Sequence, residues 1–108
     1  MIEYVIAKEY TEIPGPRLRI EGNYSGEDFR ENILSPLVKQ TKTENEKILI
    51  DLDGGYGYPT SFLEEAFGGL VRVLKDKQVI EIFEFKSDEE PALINEIKEY
   101  MRREMGKL

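Results

Sequence analysis

With 108 residues, 22 acidic and 15 basic, the chain has room for one domain, expected over residues 1–108, and carries a formal net charge of −7. That charge repels phosphate backbones and anionic lipid surfaces, so neither nucleic acid nor a membrane is an expected partner. Cysteine and histidine are both absent, which removes disulfides, thiolate catalysis, zinc–sulfur sites, a Ser-His-Asp triad and most transition-metal sites, and leaves carboxylate, lysine, tyrosine or hydroxyl chemistry.

No apolar run approaches the roughly 20 residues of a membrane span. The N-terminus lacks a charged-then-apolar leader pattern, so the expected compartment is the cytoplasm. No cofactor is expected.

Over residues 2–7, Ile2, Tyr4 and Ile6 recur at the period of a half-buried strand. Ile13-Pro14-Gly15-Pro16 breaks the chain. Arg17-Leu18-Arg19-Ile20-Glu21 then alternates, with Leu18 and Ile20 inward, and predicts an edge strand that pairs with the first as a hairpin.

Ser25 opens a helix as its cap, with Asp28 placed to reach back to the cap N–H. Phe29, Ile33, Leu34, Leu37 and Val38 mark its buried face, and Pro36 predicts a kink or break near Ser35. The polar stretch 41–46 reads as a loop.

Ile48-Leu49-Ile50-Asp51-Leu52 is nearly continuous apolar sequence, the pattern of a central strand. After a loop over 54–59, a helix is predicted from about Ser61 to Leu74. Gly68-Gly69 inside it costs about 1 kcal/mol per glycine relative to alanine, which predicts a compensating close approach to the sheet. Residues 79–85 read as another strand, and Ser87-Asp88-Glu89-Glu90-Pro91 as the start of a last helix with Leu93, Ile94, Ile97, Tyr100, Met101 and Met105 on its apolar face. Two strand-helix-strand crossovers in this order require a mainly parallel sheet.

Asp51-Leu52-Asp53 at the end of an apolar strand matches how haloacid-dehalogenase-type phosphatases present a nucleophile and a general acid beside magnesium. A magnesium-dependent phosphatase using Asp51 and Asp53 is therefore one reading. The residue two after Asp53 is Gly55 rather than threonine or valine, and the remaining chain has little room for the phosphate-binding lysine and second acidic cluster. A calcium loop fails because Tyr56 stands where glycine is required. A phosphate loop fails for lack of the glycine-lysine-hydroxyl ending. The simpler reading makes both aspartates the polar lip of a buried strand, satisfied by backbone donors of the following loop.

Two clusters carry a longer likeness: Ser25-Gly26-Glu27-Asp28-Phe29-Arg30 with Leu34 and Pro36, and Asp51-Leu52-Asp53-Gly54 followed by Thr60-Ser61-Phe62-Leu63-Glu64-Glu65-Ala66-Phe67-Gly68-Gly69-Leu70. Over about residues 15–75 the chain resembles the STAS-like family of small bacterial proteins of unknown function. The resemblance implies an α/β fold with a mixed, mainly parallel four-stranded sheet and about three helices, mostly on one face. It also implies a regulatory protein-interaction module rather than an enzyme, similar to anti-sigma-factor antagonists, with a histidine-kinase-like ATPase as the kind of partner such antagonists engage.

In those antagonists a serine or threonine at the start of the helix after the aspartate turn is phosphorylated. Thr60 and Ser61 hold the matching positions here and are the candidate phosphoacceptors, although Pro59 stands where the antagonists usually carry aspartate. Ser61-x-x-Glu64 also reads as a capping box, which makes Thr60 the better acceptor. Tyr56, Tyr58, Phe62, Glu64 and Glu65 around this junction are the candidate partner contacts, the aromatics either packed inward or displayed as anchors. A purely structural homodimeric subunit is the remaining alternative.

Overall fold

The computed structural model describes all 108 residues. Strand β1 (Ile2–Val5) runs straight into a single helical turn, α1 (Ile6–Glu9). Helix α2 spans residues 26–44, strand β2 is Ile48–Asp51, helix α3 spans residues 60–74, strand β3 is Phe83–Lys86 and helix α4 is Ala92–Met105. The three strands are all parallel in the order β1-β2-β3, with Ile2 and Phe83 flanking Ile48, and Val5 and Lys86 flanking Asp51.

Strand order that advances in one direction, joined by right-handed crossovers, puts both connecting helices on the same face of the sheet. The burial alternation agrees. Tyr4, Ile48, Ile50, Leu52 and Phe83 are buried beneath the helices, whereas Glu3 and Glu84 on the opposite face are exposed. Nineteen buried apolar residues form one cluster between sheet and helices. Phe29 lies at its centre, its ring 5.0 Å from Tyr10, 5.6 Å from Phe62, 6.0 Å from Tyr4 and 6.2 Å from Phe67.

The fourth strand expected at residues 17–21 does not form, and the sheet is three-stranded and wholly parallel rather than mixed. Its backbone groups are spent on starting α2. The carbonyls of Pro16 and Arg17 accept the N–H groups of Gly26 and Glu27 at 2.9 and 3.0 Å, which are orphan donors of a helix N-terminus. The N–H of Leu18 goes to Glu21 and that of Arg19 to Glu27. The segment closes into a 3-10 turn at Arg19–Glu21, and Ile20, expected inward, is 92% exposed.

Ser25 caps α2 as expected, its hydroxyl accepting the Asp28 N–H at 3.0 Å. The Asp28 carboxylate does not return the bond; it accepts from the Tyr10 hydroxyl at 2.6 Å, from Asn32 at 2.7 Å and from Arg19 at 3.3 Å. Pro36 does not break the helix. Instead the turn before it, Arg30–Leu34, widens to π geometry, so that Ser35 N–H reaches the Arg30 carbonyl. The helix then runs through the expected loop at 41–46 to Glu44 and stops at Asn45, in the left-handed conformation at φ 54. The polar residues there are its solvent face, with Val38 and Thr41 turned inward.

Strand β3 is shorter than the 79–85 run suggests, because Val79–Ile82 forms a 3-10 turn before Phe83.

One polar atom in the core is left without a partner: the Tyr4 hydroxyl, whose ionisation burial, with a smaller contribution from Glu9, pushes up to about 12. An unmet buried hydroxyl costs stability. Tyr4→Phe is expected to raise unfolding stability in urea by about 1 kcal/mol; a loss of stability instead would mean that the phenol makes a bond the fold depends on.

Candidate functional site

The carboxyl ends of β2 and β3 are joined through Asp53. Its carboxylate accepts the N–H groups of Asp88 and Glu89, each at 3.0 Å, and Lys86 Nζ at 2.9 Å. Asp51 Oδ1 accepts the Asp53 N–H at 2.9 Å and so closes the turn that aims Asp53 at the neighbouring loop. Glu89 answers by accepting the Gly54 N–H.

The Glu89 N–H and then Lys86 hold the Asp53 carboxyl down to about 2. The bonds are therefore fully present above the ordinary aspartate range near about 4 and disappear as pH falls from there toward about 2. Asp53→Asn is expected to cost about 1 kcal/mol at neutral pH and to lose less further stability than the wild type over that acid window. Urea titrations at a series of pH values check this, and parallel acid losses in the two proteins would contradict it.

Both aspartates are thus committed to holding strands and loops together. No three acidic side chains converge closely enough to hold a metal ion. The magnesium-phosphatase reading finds no support in this geometry.

Beyond Asp53 the loop turns through Gly54 at φ 96 and Gly57 at φ 114, values that favour glycine. The Tyr56 N–H donates to the Glu12 carbonyl at 2.9 Å, and the Tyr58 hydroxyl donates to the Leu52 carbonyl at 3.0 Å. Tyr56 is fixed through its backbone while its side chain is 81% exposed. Tyr58 is half-buried, its ring 6.2 Å from Phe62.

Of the five candidate contacts, Tyr56 alone stands free on the surface. Phe62, a candidate partner contact for which inward packing and display were both open, is fully buried, because it opens the apolar stripe continued by Ala66 and Phe67.

Glu64 and Glu65 face arginines of this chain. Glu64 pairs with Arg17 at 2.5 Å and Arg72 at 2.6 Å; Glu65 pairs with Arg30 and, at 3.3 Å, with Arg17. Arg72 also reaches Glu104 of α4 at 3.2 Å, and Glu104 binds Lys107 at 2.7 Å. The Arg72 and Arg17 hydrogen bonds lower the Glu64 carboxyl below its ordinary range despite partial burial.

Gly68 and Gly69 make room for this network rather than for the sheet. A Cβ on Gly68 would stand 2.5 Å from Glu64 Oε2, and one on Gly69 would stand 2.9 Å from Arg30 Nη1.

The capping box at Ser61 does not form, since Glu64 is drawn away to Arg17 and Arg72. Pro59 holds the cap position without a side-chain cap bond. Thr60 is the first helical residue and exposed, and Ser61 is half-buried one residue in.

A cleft of about 240 Å³ opens between this loop and the one after β3. Leu52, Tyr58 and Leu93 contribute apolar wall, while Tyr56, Glu89 and Glu90 stand at its side. The contribution of Glu89 and Glu90 was masked in the sequence, where Asp88-Glu89-Glu90 read as first-turn acids of a helix. That helix begins only at Ala92.

A parallel sheet covered by helices on one face, with its loops braced at the carboxyl end, defines a small α/β domain. The family model for the STAS-like domain of unknown function (DUF4325) matches residues 25–93. The chain belongs to that family. No curated protein and no solved structure matches the chain. No helix is long and apolar enough to cross a membrane.

Proposed function

We propose that the chain is a regulatory protein-interaction module whose partner surface is the junction between β2 and α3, residues 54–60. The observation that carries this reading is Tyr56. A large aromatic exposed on a loop whose backbone is pinned to Glu12 asks for little further ordering of the loop on binding, which suits an interface anchor. The partner class is an ATPase of histidine-kinase type, as for the antagonists this family resembles, and the compartment is the bacterial cytoplasm.

Thr60 is the hydroxyl offered for regulation. It is exposed at the start of a helix, where free N–H groups and the helix dipole favour an added phosphate. Ser61 is the poorer acceptor, half-buried and one turn before Glu64 and Glu65.

Mass spectrometry of protein recovered from its native cell is expected to find phosphate on Thr60, and Thr60→Glu is expected to reduce partner capture about tenfold. Unmodified Thr60 under every growth condition, together with undiminished capture by Thr60→Glu, would remove the switch.

A further inference from the structure

We infer that the outer edge of β3 is a self-association surface, on which a second copy of this chain adds its own β3 antiparallel about a two-fold axis at Phe85. The inference goes beyond the junction reading and does not depend on it.

Strand β3 ends the sheet and is paired on one side only. Because the Leu52 N–H donates to the Lys86 carbonyl at 2.8 Å, the backbone groups of Lys86, and two residues earlier those of Glu84, face β2. Those of Phe83 and Phe85 therefore face outward. The Phe83 N–H is taken by the Ile80 carbonyl, which leaves the Phe83 carbonyl and both main-chain groups of Phe85 without a partner in the chain.

The opposite edge of the sheet is closed. On β1 the outward N–H of Val5 donates to the Glu9 carboxylate at 2.6 Å, and the strand turns at once into α1. Plugging of this kind keeps an edge from recruiting another strand, and β3 has no counterpart to it.

The side chains select the occupant and its register. With Phe85 on the axis, the two copies exchange a pair of Phe85 backbone bonds, and each sets Glu84 opposite Lys86 of the other. Both charges stand exposed on the open face of the sheet, and opposite charges directly across an antiparallel pair attract. Lys86 has a donor left for this contact: of its three, Asp53 takes one at 2.9 Å, and Asp88 lies at 3.2 Å from the same nitrogen. An axis one residue earlier would set Glu84 against Glu84, and one residue later Lys86 against Lys86, so charge fixes the register. On the helix side of the sheet the half-buried Phe85 ring, 5.6 Å from Phe67 and 6.0 Å from Phe83, meets the same ring of the second copy and extends an aromatic row already built inside each chain.

The test is sedimentation equilibrium of the full chain from about 10 μM to about 1 mM, with amide hydrogen exchange followed over the same range. A reversible monomer–dimer equilibrium of the 12.5 kDa chain is expected. The Phe85 amide is expected to exchange about tenfold more slowly at the top of the range than at the bottom, while the Glu84 and Lys86 amides, already bonded to β2, change far less. Glu84→Lys is expected to weaken the dimer about tenfold, because symmetry turns two attractions into repulsions. Glu3→Lys makes the same charge change at an exposed position on the same face of β1 and is expected to leave the dimer unchanged. A single 12.5 kDa species throughout, a dimer whose Phe85 exchange ignores concentration, or a dimer no weaker with Glu84→Lys than with Glu3→Lys would overturn the inference. So would Phe85 protection that appears only when a different protein is bound, since that result gives the edge to a partner's strand.

Discussion

Phe29→Ala is expected to lower unfolding stability by about 4 kcal/mol, a large part of the 5–15 kcal/mol available to a domain of this size. The ring is fully buried and touches four other aromatic rings drawn from β1, the segment after α1, and α3. Its removal leaves a cavity that rigid neighbours collapse into poorly, and it also breaks edge and tilted ring contacts that add to simple area burial. The half-buried Phe85 on the edge strand β3 provides the comparison, and Phe85→Ala is expected to cost less than half as much. Urea denaturation of both variants checks this. Equal costs, or a Phe29 variant within about 1 kcal/mol of wild type, would mean that the packing centre lies elsewhere.

Glu65→Ala is expected to cost about 3 kcal/mol, far more than an exposed ion pair is worth. Arg30 and Glu65 are only 11% and 14% exposed at the side chain, so deleting the carboxylate strands a largely buried guanidinium. The same carboxylate helps neutralise Arg17 and lies within 3.8 Å of Arg72. Replacing both members of the pair with methionine removes the stranded charge as well as the bond. The double variant is therefore expected to be markedly more stable than Glu65→Ala, a non-additivity that denaturation curves measure directly. A double variant as unstable as the single one would contradict this account of the pair.

These residues mark how far the sequence could be read. The lip at Asp51 and Asp53 was legible in part: an apolar strand ending in acids leaves few roles for carboxylates in a chain without histidine or cysteine, but the donors expected from the following loop come to Asp53 from Lys86, Asp88 and Glu89 after β3 instead. The Ser25 cap was legible for a similar reason: its hydroxyl and the N–H it accepts lie three residues apart. The strand expected at Arg17–Glu21 was misleading because alternation records side chains, whereas the backbone carbonyls of Pro16 and Arg17 had been claimed by Gly26 and Glu27.

Other features depended on contacts between distant segments. Glu65 meets Arg30 across 35 positions, so nothing local distinguishes it from a solvated acid available to a partner. Phe62 was recoverable in principle, since it lies in phase with Ala66 and Phe67. Tyr56 sits in an irregular loop where no period operates, so nothing local in the sequence sets whether its side chain is packed or displayed.

Within the proposed surface, Tyr56 is the one displayed ring and Thr60 the exposed hydroxyl at the helix start. Capture of a histidine-kinase-type ATPase, the partner class proposed above, by wild type, by Tyr56→Ala and by Val73→Ala tests this proposal most directly. Val73 is a second exposed apolar side chain, 60% exposed near the far end of α3. Capture reduced about tenfold by Tyr56→Ala and unchanged by Val73→Ala is the predicted result. Full capture by Tyr56→Ala, or equal loss in both variants, would contradict the assignment of the β2–α3 junction as the partner surface.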